Sequence, residues 1–527
     1  MSLDAFIHDL QFETEKTTPF DFEVDWDDGP LPYKLYRGLP TFPLSSEIPL
    51  TLENQQASVK PDLHQIGHVL WYVCGLTQFS QLVLLSDILD KSMGQVQSAR
   101  RFIPSGGGLY PSELYIYLKL EDLPTGIYHY DVAHHRLVLL RSGNFDSYLS
   151  RSLGTRCDTS ACFGIAFVST MFWKNFFKYH NFSYRLQGLD AGVLIGQFLE
   201  VVKRFGYHSR VYFQFLDRSV NHLLGLNENE ESVYAVLPLS IEPMMTCLGT
   251  EDRLRERVLA SELMKELPSV SHDHYIRSRR ILEYPMLIKM NQASMIESLQ
   301  LTPSSVESIK PTIQEKDAVA LPPVSRLSYP FLSVCRRRFS PERDFVLQKI
   351  SRELLAALLH EAVASYIDPK DSEEEENQPE PCVSLYVCIY GVNGIPNGAY
   401  RFDSTSHTLH QLRRGDHRLW LQQAMPFANV NLTQVPLCFH VVGRRDFYKK
   451  EWGYRGYRIQ QMEAGMLVQR LLLAATALGM GGHPLLGFDV NICDEIYRIA
   501  ETGETSLIQI PVGPHRHRAR LEGRLQS

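Results

Sequence analysis

Residues able to do chemistry gather at four places in this sequence. The first is Pro104-Ser105-Gly106-Gly107-Gly108-Leu109-Tyr110-Pro111. Three glycines behind a serine let backbone N–H groups approach a planar or anionic ligand closely. No Gly-Lys-Ser/Thr follows, so this is not a Walker loop, and a glycine triplet by itself reads as readily as a turn. The second place is Lys178-Tyr179, an amine beside a phenol, six residues ahead of the helix start Tyr184-Arg185. Two groups that can exchange a proton, next to a helix that can hold them, make a candidate acid/base pair. The third is Arg336-Arg337-Arg338, guanidinium groups suited to bidentate phosphate contact, though such a run also occurs on ordinary surfaces. The fourth combines Gly481-Gly482-His483-Pro484 with the C-terminal Arg516, Arg518, Arg520 and Arg524.

These places are related by a repeat. Ala191-Gly192 precedes Ala464-Gly465 at an offset of 273 (464−191), and Tyr184-Arg185, Gly206 and Pro238 precede Tyr457-Arg458, Gly479 and Pro511 at the same offset. Upstream, Gly126-Ile127-Tyr128-His129-Tyr130-Asp131 matches Gly398-Ala399-Tyr400-Arg401-Phe402-Asp403 at an offset of 272 (398−126). Self-similarity at one spacing over half a chain means a duplicated domain. The copies have diverged in complementary ways. The first carries the Ser-Gly loop and Lys178-Tyr179; the second has Glu451-Trp452 at the latter place. Between opening helix and first strand the second copy is the shorter, its offset falling from 288 (Leu358 against Leu70) to 272. An acidic stretch, Asp371–Asn377, stands there and reads as a solvated loop. The arginine run precedes only the second copy's opening helix, and the glycine pair follows only the second copy's long helix.

The elements that must position these residues follow from periodicity. Each copy opens on an amphipathic helix (63–75; 350–364), followed by a strand (113–120; 383–390), a short strand with the Gly-x-Tyr-x-aromatic-Asp pattern, and a third strand (163–170; 437–442). A long helix comes next (184–205; 457–478), then a closing strand (232–237; 506–510) ending at proline. That is an α+β fold, a central mixed or antiparallel sheet flanked by helices, built twice. We expect an N-terminal arm over 1–60, a first half over 61–250, a connector over 251–325 and a second half over 326–527. Basic Arg277-Ser278-Arg279-Arg280 in the connector reads as packed linker.

Composition bounds the rest. At 527 residues the chain is long for one core. The formal charge is −7 (53 Lys+Arg against 60 Asp+Glu), which argues against a polyanion-binding protein and leaves room for a local basic patch. Nine scattered cysteines without a CxxC pair argue against a disulfide framework and a structural zinc site, and no metal site is expected. The N-terminus shows no secretory signal and no apolar run reaches the roughly 18 residues of a membrane span, so a cytoplasmic protein is expected, binding neither nucleic acid nor membrane.

With these motifs in place the chain resembles the flavin-dependent nitroreductase superfamily. The likeness is greatest to its azoline-dehydrogenase branch, the oxidases of microcin B17, streptolysin S and cyanobactin biosynthesis and the free-standing thiazoline oxidases of peptide synthetases. The resemblance runs from about residue 30, including Tyr33-Lys34-Leu35-Tyr36, to the end; its most specific pieces are the Pro104–Pro111 loop, Gly126–Tyr130, and Lys178-Tyr179 with Tyr184-Arg185 and Ala191-Gly192. It implies two tandem nitroreductase-like domains forming an intramolecular pseudo-dimer. Members of the family are homodimers whose FMN sites draw on both subunits. The resemblance therefore assigns FMN contacts to Ser105, Gly106 and Gly107 from the first half, and to Arg336, Arg337, Arg338, Gly481, Gly482 and one of Arg516 or Arg518 from the second. It implies one FMN per chain.

The implied reaction oxidises a peptide thiazoline or oxazoline to the azole. Hydride passes to flavin N5, the Cα proton passes to the Lys178/Tyr179 pair, and oxygen recycles the flavin. Which of the two residues is the base stays open. The implied partners are an azoline-containing peptide, ribosomally made or carrier-bound on a synthetase, with a cyclodehydratase or heterocyclisation domain. Two alternatives remain: an NAD(P)H-dependent nitro- or quinone reductase, or a non-catalytic oxidase-like partner of a cyclase or carrier protein.

Overall fold

A computed structural model describes residues 1–49, 51–52, 61–84, 94–243, 258–299, 318–364, 382–427, 429–447, 449, 452–516 and 521–524. The chain divides into two compact units. One comprises Phe20–Thr302 with Arg518–Ser527, the other Met1–Pro19 with Pro303–His517.

The unit holding the first copy is built on a seven-stranded sheet in the spatial order Thr41–Pro43, Arg136–Ser142, Gly126–Asp131, Ser112–Leu118, Gly164–Met171, Glu231–Ser240, His208–Ser209. Every pairing is antiparallel. The central strands are buried along their whole length, because helices cover both faces and leave no polar alternation to read. Tyr115, Tyr117, Ile165 and Phe167 pack with residues of the helices Asp146–Ser152 and Asp217–Leu224. Their neighbours Leu114, Ile116, Ala166 and Val168 project to the opposite face by the two-residue period of a strand. The long helix Ser183–Arg204 contacts these strands and is buried nearly all round, as a central helix must be. The opening helix Leu63–Cys74 begins where the Asp62 carboxylate accepts the Gln65 N–H at 2.7 Å.

The other unit repeats this plan: Ala318–Ala320, Thr408–Arg414, Gly398–Asp403, Val383–Ile389, Leu437–Arg444, Glu504–Gly513, Gly481–Gly482, again antiparallel throughout. The irregularities repeat as well. The ladder slips between Ile127 and Tyr128 and between Ala399 and Tyr400 (399−127 = 272), and between Val168 and Ser169 and between Val441 and Val442 (441−168 = 273). Bulges sit where a strand must bend, so shared bulges mean shared curvature. The long helix here is Tyr454–Ala477, and the opening helix Arg352–Val363 is capped by Ser351 Oγ accepting from Leu354 N at 3.1 Å.

The structure departs from the sequence reading in several places. Among the described strands no parallel pair occurs, so the mixed alternative falls. The closing strands do not stop at proline but run on through Pro238 and Pro511. Both prolines lie where the neighbour on one side is interrupted, between His208–Ser209 and the Tyr212 bridge in one sheet and between Gly481–Gly482 and the Leu485 bridge in the other, so the missing N–H breaks no ladder. A third, small sheet, Leu521–Arg524, Gln78–Leu84, Gly94–Arg100, has no counterpart in the sequence reading. The N-terminal residues contain a helix, Leu3–Phe12, that packs in the second copy's unit: Gln11 Nε2 donates to Ser506 O at 2.8 Å, and Phe12 lies against the core formed there. Asp371–Asn377, Glu451 and Cys247 lie outside the described residues. Among the described residues no cysteine is paired, and no helix is long and apolar enough to cross a membrane.

Candidate functional site

The Ser-Gly loop enters the central strand Ser112–Leu118 as a single tight turn, Gly106–Gly108. Gly107 and Gly108 adopt φ of +66° and +71°, the left-handed region where glycine carries no Cβ penalty. Ser105 Oγ donates to Asp190 Oδ2 at 2.7 Å and accepts the Tyr110 N–H at 2.9 Å, while Gly106 N–H donates to the Asp190 carboxylate at 3.1 and 3.3 Å. Asp190 sits in the long helix Ser183–Arg204. Burial pushes its carboxyl up to about 6, against the stabilising hydrogen bonds from Ser105 and Gly106.

Lys178 and Tyr179 close the short helix Phe172–Tyr179, which Phe172 and Phe176 anchor in the core. They meet the loop at Gly107. A Cβ there would lie 2.6 Å from the Tyr179 hydroxyl and 2.9 Å from Lys178 Nζ, so the missing side chain is what lets amine and phenol stand against the turn. The amine also lies 4.9 Å from the Tyr179 ring centre and 5.2 Å from that of Trp26, a residue itself 58% exposed. Burial lowers the proton affinity of Lys178 from its ordinary value. Burial, with the nearby Asp190 charge, raises that of Tyr179 and keeps the phenol protonated. The two environments push an acid and a base in opposite directions.

Sequence reasoning missed the buried polar layer behind this loop. Glu113 accepts from Lys174 Nζ and pairs with His129 Nε2 at 2.9 Å, all within the core. Lys174 Nζ also donates to the Tyr110 carbonyl at 3.2 Å, and the Arg101 guanidinium lies 4.7 Å over the Tyr110 ring. Lys34 pairs with Glu231 at 2.7 Å, and Glu231 also accepts from Tyr115 (2.9 Å) and Ser169 (2.5 Å). Burial opposes ionisation of both carboxylates, but their lysines prevail and hold them below the usual range. Among the described residues the second copy keeps only the tyrosine–glutamate part, Tyr386 Oη to Glu504 at 3.2 Å. Glu113 is opposite Ser169 in the sheet, the place Ser384 holds opposite Val442; Lys174 is matched by Phe447 (447−174 = 273). A glutamate in an apolar strand and a lysine one turn before Lys178 were the available signals.

In the other unit Arg336 and Arg337 end the helix Phe331–Arg337 and Arg338 follows it. His483 Nδ1 bonds the Pro341 carbonyl at 2.6 Å and is depressed chiefly by burial, with the Arg338 charge adding to the effect. The Phe339 ring lies 6.1 Å from that of His515, and Arg516 N donates to Asp344 O at 2.9 Å. Arg338, the glycine pair and the Arg516 backbone thus belong to one neighbourhood, while Arg337 Nε donates to Ser333 O of its own helix at 3.3 Å; Arg518 lies outside the described residues. Gly481 and Gly482 form an edge strand rather than a loop. Each has a packing reason to be glycine, since a Cβ would strike the Pro341 ring at the first and lie 2.6 Å from Leu472 Cδ2 at the second.

This pair of matched antiparallel sheets, each with a buried long helix, defines the nitroreductase-like α+β class. The nitroreductase family model matches residues 335–514, and the first copy repeats the topology of that region. The crystal structure of a putative nitroreductase from Anabaena variabilis superimposes over 98% of this chain and 100% of its own, with a TM-score of 0.73 at 20% identity, a likeness of fold. The trifolitoxin-processing protein TfxB of Rhizobium leguminosarum bv. trifolii is 30% identical over 139 residues, 25% of this chain. The "Putative nitroreductase MJ1384" of Methanocaldococcus jannaschii is 26% identical over 132 residues, also 25% of this chain. The chain spans 37% and 64% of the lengths of these two relatives.

Proposed function

We propose that the protein is an FMN-dependent dehydrogenase that oxidises thiazoline or oxazoline rings in a peptide to the aromatic azole. The observation that carries this reading is the meeting of Lys178 Nζ and the Tyr179 hydroxyl at the open side of Gly107. The resemblance to azoline dehydrogenases and the likeness to a protein named for trifolitoxin processing support a peptide substrate.

The donor chemistry fits FMN. Arg336, Arg337 and Arg338, at the end of one helix, would offer guanidinium groups to a phosphate monoester. Ser105, Gly106 and Gly107 form the tight turn that would lie against the flavin. Bound FMN would supply the hydride acceptor that no side chain provides, with oxygen as the final oxidant.

The chain's own residues do the proton chemistry. Removing two hydrogens from the ring sends one as hydride from Cβ and one as a proton from Cα. Lys178, its proton affinity lowered by burial, takes the Cα proton. Tyr179, kept protonated by burial, stands beside the amine at Gly107 and orients it. Trp26 shields one side of Lys178 from water.

The test is incubation of flavin-loaded protein with a thiazoline-bearing peptide under oxygen, followed by mass spectrometry. Loss of two hydrogens is expected. Lys178→Ala and Tyr179→Phe should retain flavin and lose about 10²–10⁴ in turnover, the usual contribution of a positioned acid or base. Wild-type activity in both variants would defeat the assignment. Flavin bleached by NADPH without azole formation would make the protein a reductase instead.

A further inference from the structure

Asp190 has no place in the proton transfer just described, yet it holds the loop against which the proton-transfer pair stands. Its carboxylate takes two donors from the loop, Ser105 Oγ at 2.7 Å and Gly106 N–H at 3.1 Å, and Ser105 Oγ in turn receives the Tyr110 N–H. One residue further along, Gly107 is the point against which Lys178 Nζ and the Tyr179 hydroxyl stand. We propose that Asp190 is a positioning residue whose carboxylate locks the Ser105–Gly107 turn and so sets the Lys178–Tyr179 pair. Its effect on turnover rests on the function proposed above; the locking of the turn does not.

The second copy supplies a comparison. Glu463 stands at the position matching Asp190 (463−190 = 273), is half-buried and accepts the Cys382 N–H at 2.7 Å, just ahead of the strand Val383–Ile389. In both copies an acid of the long helix ties down the segment entering the central strand. Only in the first does that segment carry a serine hydroxyl and a glycine turn facing an amine and a phenol. A side chain one methylene shorter there leaves room for the turn to fold back onto the helix.

A carboxylate that must accept two donors at once is sensitive to protonation. The ionisable groups facing it are few. From the helix Phe172–Tyr179 come the Tyr179 phenol and, across Gly107, the Lys178 amine, with the uncharged Asn175 amide beside them; the loop contributes only hydroxyl and amide. With the carboxyl raised to about 6 by burial, the lock is complete well above that value and opens as pH falls below it, where the neutral acid accepts less well.

The experiment is amide hydrogen–deuterium exchange of a peptide covering residues 103–112 in full-length protein, from pH 5 to 8, corrected for the intrinsic pH dependence of exchange. In wild type, protection should fall about tenfold on passing below pH 6, the effect of losing one charge-assisted hydrogen bond. In Asp190→Asn it should be low and independent of pH. The pH–rate profile of the same samples should lose its acid limb in Asp190→Asn. Wild-type protection that does not change with pH would overturn the proposal without using any variant. Protection in Asp190→Asn equal to wild type would overturn it too. Exchange that behaves as expected, in a protein inert toward azolines, would sink the proposed reaction and leave the lock standing.

Discussion

Replacing Gly107 and Gly108 one at a time with alanine separates backbone strain from active-site geometry. The two residues have nearly equal φ, +66° and +71°, so alanine at either position incurs a similar left-handed penalty of about 1–2 kcal/mol. Their surroundings differ completely. Around Gly108 a Cβ meets nothing within 4 Å; at Gly107 it comes to 2.6 Å from the Tyr179 hydroxyl and 2.9 Å from Lys178 Nζ. Ordinary contact begins near 3.4 Å, so the phenol must retreat by about 0.8 Å and the amine by about 0.5 Å, from the 2.6 and 2.9 Å positions. A displacement approaching 1 Å at reacting groups is worth about 10² in rate. Both variants should therefore melt a few degrees below wild type, by similar amounts. Gly108→Ala should keep turnover within a few-fold, and Gly107→Ala should lose about 10²-fold while flavin content stays unchanged. Differential scanning fluorimetry, flavin absorbance and azole formation measured on one preparation give all three numbers. Equal turnover in the two variants would refute the claim that Gly107 is kept bare for Lys178 and Tyr179.

Two further outcomes are expected. Flavin extracted from protein of known concentration should amount to one FMN per chain, because the Ser-Gly loop and the arginine run each occur in one half only; two per chain would overturn the reading of complementary halves. Lys34→Met should destabilise the unit that contains it by about 3–5 kcal/mol in urea unfolding, since Glu231 is left charged in the core, while Lys34→Met with Glu231→Gln should lose less. In wild type, Glu113 and Glu231 have depressed folded-state proton affinity, so their contribution is present above the unfolded carboxylate value near 4.3 and disappears as acid protonates them below it. A loss below about 1 kcal/mol in Lys34→Met would show that the ion pair does not hold the arm in place.

The duplicated fold was legible because a repeat reports on many weak signals at once. The 272 and 273 offsets extend to the bulges, which no single window shows. Proline misleads as a marker of the closing strands' ends: whether it can sit inside a strand depends on the neighbour facing its nitrogen, and that neighbour comes from elsewhere in the chain. The strand Gly94–Arg100, rich in Gln and Ser, carries little apolar contrast. For the site, the asymmetry between copies singled out Lys178 and Tyr179, but nothing local tied them to Gly107, which lies several elements earlier in the chain. Asp190 reads as one polar position in a helix. Its partners lie 84 and 85 residues away, and only tertiary structure shows that it is buried.

The helix Leu3–Phe12 is synthesised early, yet the strand that receives Gln11 is made 495 residues later. At about 5–20 residues per second that is a wait of about 25–100 s. The strand Leu521–Arg524, joined to Gln78–Leu84, reverses the exchange: the early half is completed by residues translated after the late half's closing strand. Neither half can finish alone during synthesis, so both units should reach their full stability only once residue 524 has been made. A nascent chain stalled before residue 500 would expose an amphipathic helix near its N-terminus to chaperones.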